Sequence, residues 1–77
     1  MTRYVVLSGG FYVGAVQTDT RHVWFTKEKE EAGSWVVYER AVKAARFVQE
    51  TTGRPSMIQA VEEPNYPKSW LVAKEDA

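Results

Sequence analysis

The chain has no cysteine and a single histidine in its 77 residues. The first absence excludes disulfide staples and thiolate metal sites, and the second leaves little for an imidazole-based one. Net charge is missing as well, since ten basic and ten acidic residues cancel. A neutral total removes the long-range pull toward a polyphosphate backbone that counterion release drives. It equally excludes a strongly acidic mimic of nucleic acid. No apolar run approaches the roughly 20 residues that cross a bilayer, and "MTRYVVLSGG" carries no cleavable signal pattern. We expect a single cytoplasmic domain over residues 1–77, with no membrane partner and close to the lower size at which one core suffices.

Catalytic machinery is scarce too. His22, beside Trp24 on a β-rich run, reads as a surface or packing residue rather than a general base. "LSGG" lacks the Gly-x-Ser-x-Gly frame of a nucleophile elbow. The same Ser8-Gly9-Gly10 run is followed by a strand, whereas a phosphate-binding loop opens a helix. Glu28, Glu30 and Glu31 crowd one turn, and Glu62 and Glu63 sit at a strand exit. Neither group brings two carboxyl groups together from separate elements, as acid–base pairs require. The expectation is no enzyme, no metal and no cofactor.

Aromatic residues are present in surplus. Three Trp, four Tyr and three Phe are more than so short a chain can hide, and such residues dominate cores and interfaces alike. "RYVVLSGGFYVGAVQ" predicts a hairpin about Gly9-Gly10, pairing Leu7 with Tyr12, Val6 with Val13 and Val5 with Gly14. "TDTR" leads to a third strand, "HVWFT". A three-residue loop, Thr18 to Thr20, pairs Val16 with His22, Gly14 with Trp24 and Val13 with Phe25. Alternation along the strands then gives two faces. Tyr4, Val6, Phe11, Val13, Ala15, Val23 and Phe25 form an apolar face expected to be core. Arg3, Val5, Leu7, Tyr12, Gly14, Val16, His22 and Trp24 form a mixed one.

"TKEKEEAGS" predicts one helical turn capped by Thr26 and stopped by Gly33. "YERAVKAARFVQETTG" repeats apolar residues at Tyr38, Ala41, Val42, Ala45 and Val48, a helical spacing ended by Gly53 and Pro55. "WVVY" is either its first turn or a short extended approach. "SMIQAVEE" predicts another strand. Residues 64–77 form either an edge strand through Trp70 to Val72 or a tail pinned by Trp70. The fold class is α+β: a small antiparallel sheet of three to five strands in β-β-β-α-β order on one main helix.

One helix covers one face of such a sheet and not both. The mixed face therefore meets the C-terminal tail, a second copy of the chain or a different molecule. Exposed Trp, Tyr and Arg are the types enriched at binding hot spots. Arg3, Tyr12, Arg21, His22 and Trp24, with Glu28, Glu30 and Glu31 as acidic neighbours, are thus the candidate protein-binding residues. The runner-up is a single-stranded nucleic-acid platform built on the aromatic and basic members of that face.

In size and layout the chain resembles small proteins encoded by phages and mobile elements. The resemblance rests on a hairpin-rich start, the pattern "FTKEKEEAGSW", then "YERAVKAARFV" and a last strand, over most of residues 3–62. Some such proteins are anti-CRISPRs or other anti-defence inhibitors. The resemblance implies a non-enzymatic inhibitor that acts in the host cytoplasm by occluding a host protein or ribonucleoprotein complex, with homodimerisation as a further outcome.

Overall fold

In the computed structural model, which describes residues 1–70, Gly9 and Gly10 take φ of 60° and 82°. Both positive angles suit a type I′ turn, whose twist matches that of the strands it joins. They connect β1 (Thr2–Ser8) to β2 (Phe11–Gln17), with Ser8 opposite Phe11 and Leu7 opposite Tyr12 as the sequence predicts. β3 (His22–Thr26) follows, then a 3-10 turn at Lys29–Glu31, α1 (Tyr38–Thr52) and β4 (Ser56–Glu62). The four strands form one antiparallel sheet in the order β3-β2-β1-β4. This is the α+β, β-β-β-α-β arrangement expected. No helix among the described residues is long and apolar enough to cross a membrane.

The hairpin does not zip as far as its sequence suggests. Beyond Leu7 and Tyr12 the predicted Val6–Val13 and Val5–Gly14 pairs give way to a wedge of chain, Gly33 to Trp35. Tyr4 and Trp35 exchange backbone hydrogen bonds of 2.8 and 2.9 Å, and the Gly33 N–H donates to the Val13 carbonyl at 3.0 Å. The wedge carries the chain from one sheet face to the other. Ala32 lies in a cluster with Val5, Val61, Tyr66 and Trp70, whereas Trp35 packs against the helix-side cluster of Val6, Val13, Ala44, Ala45 and Val48. A Cβ on Gly33 would stand 2.6 Å from the Gly14 carbonyl oxygen. Gly33 is there because two backbones cross, not because a helix stops.

The second hairpin also departs from expectation. Its turn holds four residues, Thr18–Arg21, and Arg21 takes a left-handed φ of 54°. Val16 faces Val23, Ala15 faces Trp24 and Gln17 faces His22, with a bulge between Val13 and Ala15 that restores the Val13–Phe25 pair. A bulge adds one residue to one strand and flips the alternation beyond it. Val16 therefore joins the helix-side core, and Ala15 takes its place on the other face.

α1 buries Ala41, Ala44, Ala45 and Val48, small residues that let the helix lie close over the valines of the sheet. Tyr38, expected in the buried stripe, is exposed and meets Tyr4 edge to face at 5.3 Å. Val37 is extended and caps the helix, so "WVV" is an extended approach. Gly53 closes α1 in the left-handed conformation, φ 73°, and its N–H donates to the Gln49 carbonyl. After β4, the Glu63–Pro64 peptide is cis, and Tyr66 and Trp70 fold onto the second face. Trp70 lies in a helical turn rather than a strand. The rest of the expected edge strand, Leu71 and Val72, lies outside the described residues.

Candidate functional site

The eight residues singled out from the sequence separate into three groups. Arg3 and Tyr12 belong to the second-face core. Arg3 Nη1 donates to Ser34 Oγ at 2.9 Å, and its guanidinium lies 6.0 Å from the centroid of the Tyr66 ring. Tyr12 is half-buried against the cluster of Val5, Ala32, Val61, Tyr66 and Trp70. The chain's own C-terminal segment thus covers this part of the mixed face. The Tyr66 hydroxyl donates to the Met1 carbonyl at 2.5 Å and ties that segment to the start of β1. Burial raises the Tyr66 hydroxyl above its ordinary value of 10.0, with Arg3 pulling it down and Glu63 and Glu62 pushing it up.

Arg21, His22 and Trp24 form the second group and stay outside that cover. Trp24 is 46% exposed on β3, a strand at the end of the sheet order. Its cross-strand partner is Ala15, too small to shield an indole. The His22 ring leans on it, with centroids 4.2 Å apart and an interplanar angle of 52°. Arg21 is exposed in the adjoining turn. The bulge sets which residues share this surface with Trp24. Without it Gly14 would face Trp24, and Val16 would bring an aliphatic side chain to the same surface.

Glu28, Glu30 and Glu31 form the third group, all exposed around the 3-10 turn. Thr26 Oγ1 accepts from the Glu28 N–H at 3.1 Å and lies 3.2 Å from Glu31 Oε2, to which it donates. These contacts hold the acidic turn against the end of β3. The backbone oxygens of Trp24 and Glu31 both lie within 3.7 Å of the Cβ position of Gly14, so the edge strand and the acidic turn converge there. Ser69 Oγ donates to the Glu30 carbonyl at 2.8 Å and fixes the turn from its other side.

Sequence reasoning passed over Phe25. It was assigned to the core face and does lie on that side, yet it is 42% exposed. It meets Phe11 edge to face at 6.4 Å. α1 lies mainly over β1 and β4 and leaves the β2–β3 side of its face thinly covered, a placement that no local sequence signal displays. Among the described residues no three His, Cys, Asp or Glu side chains are grouped to hold a metal ion. No family model, curated protein or solved structure matches this chain.

Proposed function

We propose that the protein is a non-enzymatic binding module that captures a host protein or ribonucleoprotein complex through the His22–Trp24 face of β3. The carrying observation is Trp24, left 46% exposed on an edge strand while Tyr12, on the same face, is half-buried against the cluster that includes Tyr66 and Trp70. An indole backed by an imidazole and opposed only by alanine is amphipathic contact area with few rotamers to freeze on binding. The acidic turn at Glu28, Glu30 and Glu31 sets charge beside the apolar centre and favours a partner surface that is basic at its rim. Such an arrangement suits an occluding inhibitor of the anti-defence kind, which needs a surface and no chemistry of its own.

A second reading, single-stranded nucleic acid, draws support from the same stacked pair beside Arg21, because bases stack on aromatic faces. The neutral charge of the chain weakens it. Tagged wild type and Trp24→Ala, compared in host lysate with the captured protein identified and then purified for direct titration, test the first reading. Equal affinity of the two forms for that purified partner would sink it. Saturable, salt-sensitive binding of an oligonucleotide that Trp24→Ala abolishes would install the second.

A further inference from the structure

On the sheet face opposite Trp24, a cleft of about 460 Å³ opens between Ser8, Phe11, Phe25, Thr52 and Arg54. Phe11 and Phe25 stand at 64° to one another and form two walls of a corner. Lys27 Nζ lies 5.7 Å from the Phe11 ring centroid. The Arg54 guanidinium reaches over the hairpin turn, its Nη1 3.2 Å from where a Cβ on Gly9 would be. No lining residue is a carboxylate. The two hydroxyls are already engaged. Ser8 Oγ donates to the Pro55 carbonyl at 3.1 Å, and Thr52 Oγ1 donates to the Val48 carbonyl at 2.7 Å and accepts from the Arg54 N–H at 3.2 Å. The cleft therefore offers ring faces and positive charge, in place of the neutral hydrogen-bonding groups that read a base edge or a sugar.

We propose that this cleft is a second binding site, independent of the Trp24 face, which takes an extended acidic peptide segment by one bulky apolar side chain. The side chain fills the Phe11–Phe25 corner, and carboxylates on its neighbours meet Lys27 and Arg54. Charge complementarity selects the acidic flanks. Phe25 belongs to the terminal strand of the sheet order, beside which an extended segment can lie and align its backbone. A pocket for a small metabolite encloses most of its ligand, whereas this corner is open along one side, as a segment anchored by a single side chain requires. The carbonyl end of α1 repels anions, so the carboxylates sit over the two cations and not over the helix terminus.

The test uses the full chain, nitrogen-15 labelled, titrated with a blocked pentapeptide carrying a central phenylalanine and two glutamates on each side. Saturable amide shifts are expected at Phe11, Phe25, Thr52 and Arg54. Lys27→Gln and Arg54→Gln, both at exposed positions, should each weaken binding about two- to fivefold. Trp24→Ala should leave it unchanged, which separates this site from the one proposed above. Peptides with a central alanine or with lysine flanks should give no saturable shifts. The proposal is overturned by absent binding, by equal binding of the lysine-flanked peptide, or by shifts confined to His22 and Trp24. It is overturned too by indifference to both glutamine variants in proteins whose spectra show the native fold, or by an oligo-thymidylate that saturates these residues when the peptide does not.

Discussion

Gly33→Ala is the sharpest probe of how the sheet is assembled. The added methyl carbon would stand 2.6 Å from the Gly14 carbonyl oxygen and 3.6 Å from that of Val13. Both obstacles are backbone, so no side chain can swing aside. Relief requires moving the wedge or the bulged strand by several tenths of an ångström. That motion strains the Gly33–Val13 hydrogen bond and the reciprocal Tyr4–Trp35 pair. Overpacking of this kind costs about 1–3 kcal/mol, and a weakened buried hydrogen bond adds about 1 kcal/mol. A 77-residue chain has about 4–12 kcal/mol in all at typical stability per residue. The variant should lose about 2–4 kcal/mol, read as a lower urea midpoint at unchanged slope and a Tm drop of about 10–25 °C. Gly53→Ala is the control: nothing lies within 4 Å of its Cβ position, and only its φ of 73° resists a side chain. It should lose about 1 kcal/mol. Should Gly33→Ala prove as stable as wild type, the crossing of backbones described here is wrong.

Tyr12→Ala should cost about 2–4 kcal/mol, because the ring packs in the second-face core. Trp24→Ala should stay within about 1 kcal/mol, and chemical denaturation of the two variants side by side checks the difference. The raised Tyr66 hydroxyl makes a pH prediction. Near pH 10 the unfolded chain loses this proton while the folded chain keeps it, so stability is full below that pH and falls as pH rises above it. Urea midpoints collected from about pH 9 to about pH 11 should fall less steeply for Tyr66→Phe, which also loses the bond to the Met1 carbonyl. Ala45→Leu, under the sheet valines, should lose about 1–3 kcal/mol by overpacking, seen as a lowered Tm.

What could be read from the sequence was local. The Gly9-Gly10 turn, the Gly53 cap and the period of α1 each depend on residues a few positions apart, and each is where the pattern places it. The bulge at Gly14 depends on the four-residue turn at Thr18–Arg21 and on the arrival of Gly33 from farther along the chain. No window of sequence displays that meeting. The same holds for the mixed face. Tyr12 and Trp24 look alike in sequence, but Tyr12 packs against a cluster that Tyr66 and Trp70 complete from the far end of the chain, and Trp24 does not. Val16 and Ala15 exchanged faces for want of one residue of register, and that exchange is what leaves Trp24 facing alanine.

The passage of Gly33–Trp35 between the first two strands constrains the order in which the molecule can assemble. A hairpin with so strong a turn would ordinarily close from its tip to its ends unaided, in microseconds. Complete closure would shut out the Gly33–Trp35 segment that lies between the strands, so the tip alone is expected to form early. The upper halves of the strands must wait, open, until the third strand and the acidic turn have delivered the intervening segment. Assembly is thereby routed through contacts distant in sequence, which slows it. Once home, the inserted segment acts as a keystone: neither flanking strand can leave without first expelling it.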